Sequence, residues 1–348
     1  MAGGDGLDDI RRIRNVDGQD MLGVLSSLPR QVGDAYALPR PNLDIPRPSS
    51  IVVLGMGGSA IGGDLLGAFM QEKRGPLVLV NRDYDIGAFV DDRSLVFAVS
   101  YSGNTEETLS GFAQAKKRGC RIVTISSGGK LQELGDPKMH IALPKGLQPR
   151  AAVAWMLVPM LGVAEDLGIA PARDDVREAE GILREVVAGL APSVPAARNE
   201  AKAVAADLHG AFPMIFSGPL LAPVAKRWRT QLNENAKTLA REDVIPEMDH
   251  NDLVAWSGDD MAARCAVVLL RDGAEHPRVS MRMNLTRRLG LDRARSVREV
   301  RSRGKGTLAR LFSTMAVGDF ASVYLSVLRG TDPTPVRVIE ELKKQLAG

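Results

Sequence analysis

Short apolar runs separated by helix-length stretches organise this chain. Ile51–Leu54, Pro76–Val80, Leu95–Val99, Arg121–Ile125 and His140–Leu143 are each brief and aliphatic, and the intervening segments are long enough for helices. Runs of this kind predict parallel strands covered on both faces. Glu106–Lys117 reads as the helix after the third strand, and residues 151–168 as a buried helix. Asp174–Leu208 is rich in Ala and Glu with a helical period, is interrupted by Pro192 and Pro195, and reads as a connector. The strand–loop–helix pattern then restarts. Met214–Ser217, Ala266–Leu270 and Ser296–Val300 are the strands; Leu220–Ala240, Thr307–Leu328 and Val336–Leu346 are the helices.

The expected architecture is α/β, with two doubly wound parallel-sheet subdomains in three layers (α/β/α) and a C-terminal helix. The expected spans are an N-terminal tail with one helix near Asp20–Leu28 (1–47), a first domain (48–168), a helical connector (169–208), a second domain (209–330) and the C-terminal helix (331–348). A length of 348 residues suits about two domains.

Composition narrows the function classes. Apolar residues make up 45% and charged residues 25%, as in ordinary globular domains. The net charge of +3 comes from interleaved arginines and acids, so no basic stripe points to nucleic acid. Cys120 and Cys265 lie in or beside apolar runs without CxxC spacing, which fits inert thiols in a reducing compartment and excludes a zinc motif. The polar start MAGGDGLDDIRRIRN is not a signal peptide, and no apolar run reaches the roughly 18 residues of a membrane span. A cytoplasmic protein is expected.

Two loops carry phosphate chemistry. The first follows Ile51–Leu54 and reads Gly55-Met-Gly57-Gly58-Ser59-Ala60 before a helix. Glycines admit close backbone approach, and helix N-termini favour anions. The same string also fits a dinucleotide fingerprint, with Asp83 or Asp85 at ribose distance. The second follows Leu95–Val99 and places Ser100, Ser102, Thr105 and Thr108 around Gly103-Asn104, immediately before or within the first turn of a helix. N-capping accounts for one such hydroxyl, and several together make a set of neutral donors for a phosphate monoester. No lysine directly follows the loop, so it is not a nucleotide P-loop.

Three further features lie downstream. Arg150, in Pro149-Arg150-Ala151-Ala152, falls where the ligand-facing edge of the first domain is expected. Glu234 stands in Asn233-Glu234-Asn235 on the helix after the second domain's first strand. His250 stands in the loop Glu247-Met-Asp249-His250-Asn251-Asp252, and a histidine among carboxylates can pass protons near neutral pH. His140, His209 and His276 lack a comparable setting, and four scattered histidines make no metal site.

Taken together, the strings GMGGSAIGGDL (55–65), SYSGNTEET (100–108), PRAA (149–152), NENAK (233–237), PEMDHND (246–252) and LRGTDPTPVRVIEELKKQL (328–346) resemble the bifunctional phosphoglucose/phosphomannose isomerases, which are built from two sugar isomerase (SIS) domains. The resemblance covers roughly residues 48–346 and implies an aldose–ketose isomerase that needs no metal or other cofactor. It implies that Gly58, Ser59, Ser100, Ser102 and Thr105 bind the phosphate of glucose, mannose or fructose 6-phosphate. Arg150 would stabilise an enediolate, Glu234 would move the proton between C1 and C2, and His250, from the partner in a homodimer, would assist ring opening. Lys344 would assist from the C-terminal helix, in preference to the adjacent Lys343. Two other readings differ in class. A non-catalytic phosphosugar-sensing SIS regulator would need a DNA-binding segment, for which residues 1–47 are too short and proline-rich. A dehydrogenase using NAD would rest on Gly55–Ala60 alone.

Overall fold

The computed structural model describes residues 6–346, so residues 1–5 of the Gly/Asp-rich start and 347–348 of the C-terminal stretch lie outside the described residues. The chain divides into two units. The first takes Ser27–Arg184 and Gly304–Phe312; the second takes the described parts of Met1–Ser26, Glu185–Arg303 and Ser313–Gly348.

The first unit is built on five strands: β1 (Ser50–Leu54), β2 (Leu77–Asn81), β3 (Ser94–Val99), β4 (Arg121–Ser126) and β5 (His140–Ala142). They are ordered β2-β1-β3-β4-β5 and every pairing is parallel. The central strand β3 is buried along its whole length. Alternation sends Val52, Leu54, Val96 and Ala98 to one face, where Phe112 and Ala115 of helix Glu106–Lys117 complete the core. Val53 and Val80 face the other side, against helix Gly57–Glu72. Gly62 of that helix in turn meets Met156 and Leu157 of the buried helix Val153–Asp166. Helix Leu28–Tyr36, which the sequence pattern did not reveal, packs on the same Val153–Asp166 helix.

The second unit repeats the plan with β6 (Phe212–Ser217), β7 (Arg241–Val244), β8 (Cys265–Arg271) and β9 (Ser296–Arg301), ordered β7-β6-β8-β9 and again all parallel. One face buries Met214, Phe216, Val267 and Leu269 against Trp256 and Met283, with the Phe216 and Trp256 rings edge-on at 5.9 Å. The expected fold class is therefore observed: two parallel sheets flanked by helices, followed by helix Arg337–Leu346.

The expected helix Leu220–Ala240 is shorter, running Ala222–Glu234, because the chain turns at Lys237 (φ 51°) and becomes β7. A buried polar stripe with a spacing of four runs along this helix. Arg227 Nε and Nη2 donate to the two Asp319 oxygens at 2.9 Å each, Gln231 adds a bond to Asp319 at 3.1 Å, and Asn235 donates to Ser322 Oγ at 2.9 Å. Trp228 donates to the Thr314 carbonyl at 3.1 Å and fills the space that a side chain at Gly318 would occupy. All four partners lie in residues 313–329 of helix Thr307–Arg329. That helix is long and apolar enough to cross a membrane, yet 94% of its apolar window is buried within the protein. Cys265 is buried and Cys120 half-buried, and desolvation raises both thiols above their ordinary value, which disfavours the reactive thiolate.

Arg227 and Asp319 are each only 2% exposed at the side chain. Removing the carboxylate with Asp319→Ala should cost about 3–5 kcal/mol of stability, read from urea denaturation of the variant against the wild type.

Candidate active site

In the first unit the chain order of the strands reverses between β1 and β3, and in open α/β sheets ligands bind at the carboxyl ends of the strands at such a reversal. The Gly55–Ala60 loop leaves β1 there and the Ser100–Thr105 loop leaves β3 beside it. The strand ends touch: a side chain at Gly55 would come within 3.1 Å of both the Val99 carbonyl and Ser59 Cβ.

Each loop opens a long helix, and neither helix has a side-chain cap. The N-cap of Gly57–Glu72 is Met56, which offers none. The amides of Ser59 and Ala60 return to the Met56 carbonyl, so the turn presents the amides of Gly57 and Gly58. The N-cap of Glu106–Lys117 is Thr105, a residue suited to capping, yet its hydroxyl makes no cap bond. It pairs instead with Ser100 Oγ at 2.9 Å, and Ser100 Oγ also accepts from the Gly103 amide at 3.1 Å. The first-turn amides of that helix are thereby left for a ligand, in the geometry that suits an anion.

The individual hydroxyls are not equivalent. Ser102 is exposed and Thr105 half-exposed, whereas Ser100, Thr108 and Ser59 are buried. Ser59 donates to Met156 Sδ at 3.1 Å, which fixes the turn. Arg150, expected at the ligand-facing edge, is only 4% exposed and sits in the short helical turn Pro149–Ala151. That turn lies against the first loop, since a Cβ on Gly58 would stand 2.9 Å from the Pro149 carbonyl. The structure thus gathers Gly58, Ser59, Ser100, Thr105 and Arg150 at one edge of one sheet, with Ser102 on the loop between them.

A third loop, which the sequence motifs did not single out, completes this edge. Ser127–Gly129 follows β4 and packs into the second loop. Gly103 (φ 71°) has the Gly128 carbonyl 1.8 Å from where a Cβ would be, and Gly129 (φ 71°) has the Ser102 carbonyl at 2.5 Å. The Lys130 amide donates to Asn104 Oδ1 at 3.0 Å, and the Leu131 amide to the Gly103 carbonyl at 2.9 Å. The signal was the Gly128-Gly129 pair after a strand, which reads as an ordinary turn until the loop it meets is known.

In the second unit Glu234 is the last residue of helix Ala222–Glu234 and is half-exposed. Its neighbours hold it. Asn235 is buried on Ser322, Asn233 donates to the Thr238 carbonyl at 2.8 Å, and Lys237 Nζ donates to the carbonyls of Glu234 at 2.5 Å and Pro333 at 3.1 Å. His250 is exposed in the turn Glu247–His250. That turn is anchored by the buried Met248 and by Asp249, which accepts from Thr286 Oγ1 at 2.7 Å and Arg282 at 3.2 Å. Lys343 and Lys344 are exposed on helix Arg337–Leu346, none of whose residues is buried. The reversal point of the second sheet carries no hydroxyl-rich loop; β6 runs into Gly218-Pro219 and β8 into Asp272-Gly273. Among the described residues no group of three His, Cys, Asp or Glu side chains is placed to hold a metal ion.

Two parallel sheets, with one pair of uncapped helix N-termini at a strand-order reversal, define a tandem SIS-domain protein. Residues 45–152 match the SIS domain family, and residues 197–346 match the bacterial phospho-glucose isomerase C-terminal SIS domain. Over 335 residues the chain is 38% identical to a bifunctional phosphoglucose/phosphomannose isomerase of Caldicellulosiruptor bescii, covering 94% of this chain and 99% of that protein. It is 35% identical to the protein of the same name from Aquifex aeolicus, over 85% of this chain and 90% of the other. The fold superposes on a glucose-6-phosphate isomerase like protein of Thermus thermophilus with a TM-score of 0.66 at 21% identity, covering 97% and 99% of the two chains. The chain belongs to the bifunctional phosphoglucose/phosphomannose isomerase family.

The loop packing predicts a sharp effect at Gly103. Gly103→Ala forces an L-residue into the left-handed region, at a cost of about 1–2 kcal/mol before the Gly128 clash is counted. The expected result, read by differential scanning fluorimetry, is a lower Tm for the variant than for the wild type, and a Tm rise with inorganic phosphate in the wild type that the variant lacks.

Proposed function

We propose that this protein interconverts fructose 6-phosphate with glucose 6-phosphate and with mannose 6-phosphate through a shared enediol(ate), without a metal or other cofactor. The observation that carries the reading is the Thr105 hydroxyl, turned away from its own helix so that the first-turn amides stay open beside those of Gly57 and Gly58. Family membership supplies the chemistry this cradle serves.

Gly58, Ser59, Ser100, Ser102 and Thr105 form the phosphate site. The amides and Ser102 are its open donors, and Ser59 and the Ser100–Thr105 hydroxyl pair hold its shape. Binding the remote phosphate fixes the sugar and spends binding energy on orientation. His250 of one protomer assists ring opening in the other protomer of a homodimer, a role its exposed position suits. Glu234 removes the proton from C2 of the open-chain aldose and returns it to C1, the electron pair passing through the enediolate. Arg150 stabilises the developing oxyanion, which makes the carbon acid stronger. Lys344 assists from the last helix. The functional modules are assigned to residues 48–168 and 209–330, joined by 169–208, with 1–47 and 331–348 as extensions. The protein acts in the cytoplasm on soluble sugar phosphates, without nucleic acid or membrane.

Chelator-treated protein should convert both mannose 6-phosphate and glucose 6-phosphate to fructose 6-phosphate in a coupled assay. Glu234→Gln should lower kcat by about 10²–10⁴-fold while phosphate still raises Tm. Full activity in that variant would remove Glu234 from the role of base.

A further inference from the structure

We infer that Lys145 binds the substrate phosphate as the charged member of the cradle, and that Tyr101 positions it. The inference rests on the Ser100–Thr105 loop being the phosphate site and adds a group that the family motifs do not contain.

The cradle as described consists of amides and hydroxyls, all neutral, whereas a phosphate monoester carries nearly two negative charges at neutral pH. Arg150 is committed to the enediolate. Lys145 lies on the loop after β5, at the same carboxyl edge of the sheet, and its side chain is exposed. It lies over Gly128: a Cβ there would stand 3.8 Å from Lys145 Cε and 4.0 Å from Nζ. Gly128 is also the residue whose carbonyl fills the space beside Gly103. The lysine side chain and the Ser100–Thr105 loop therefore both meet the same residue, Gly128.

What separates Lys145 from other exposed lysines is how its loop is held. Tyr101, between Ser100 and Ser102 in the phosphate loop, is only 6% exposed. Its phenol donates to the Pro144 carbonyl at 2.7 Å and accepts from the Leu147 amide at 2.9 Å, so it clamps the chain on both sides of Lys145. Burial raises the phenol above its ordinary value, which keeps the donating proton in place. Gly146 at φ 96° makes the turn between the two anchors. One tyrosine thus ties the lysine loop to the phosphate loop, and a cation so placed adds a charge-assisted bond to neutral recognition.

The test is calorimetric titration of fructose 6-phosphate and of inorganic phosphate at low and high salt, alongside the isomerase assay. Lys145→Gln should weaken both ligands by about 5–10-fold and flatten the salt dependence of Kd, and Lys145→Arg should restore most of the loss. Tyr101→Phe should weaken binding similarly and add little when combined with Lys145→Gln; additive losses would refute the positioning role. Wild-type Kd and salt slope in Lys145→Gln, or no phosphate binding by the wild type, would overturn the inference. Wild-type protein that binds phosphate but turns over no sugar phosphate would instead defeat the isomerase reading alone.

Discussion

Parallel strand direction is the constraint on which the first unit's chemistry depends. Because every strand in β1–β5 runs the same way, every crossover helix begins at the same edge, and its unpaired amides collect there. A reversal in strand order opens a crevice between two such helices, and the residues in it need only refrain from closing it. Met56 has no side chain able to cap, and Thr105 bonds sideways to Ser100. The open amides at this edge come from withheld capping rather than from any added group.

The second unit solves a different problem, the rigid placement of one carboxylate at a helix end. The Arg227–Gln231–Asn235 stripe fixes the rotation of helix Ala222–Glu234 against residues 313–329, and Trp228 over Gly318 fixes its distance. Polar contacts of this kind tolerate less sliding than apolar packing, because each bond has a direction. Glu234 inherits that precision one residue before the stripe ends, while its own side chain stays half-exposed.

Much of this was legible from the sequence, for identifiable reasons. Among the described residues, eight of nine strands are apolar runs or alternating valines, and helix Glu106–Lys117 begins and ends where the pattern put it. The strand that was missed, β7, reads Arg241-Glu242-Asp243-Val244 and lies on a sheet edge, where Arg229 pairs with Glu242 and charge takes the place of burial. Helix Pro277–Leu289 carried its signals, Pro277 at the first turn and Gly290 after the last, but its arginine-rich sequence hides an apolar face that rests largely on Met283. The motif residues Gly58, Ser100, Thr105 and Arg150 were found because their loops follow recognisable strands. That Ser59 turns inward to Met156, that Arg150 is buried, and that Ser127–Gly129 joins the edge depend on contacts between loops distant in sequence.

The meeting of Gly103 with Gly128 and Gly129 also shapes what a mutational scan of this protein would report. At Gly103 and Gly129 two backbones pass where no side chain fits, and Gly128 holds a φ of 148° that other residues rarely adopt, so almost any replacement at these positions would be scored as severely as the loss of a reacting group. Sensitivity there measures clearance between loops. A map of inactivating substitutions would therefore outline a patch larger than the chemistry, centred on residues that donate nothing to it.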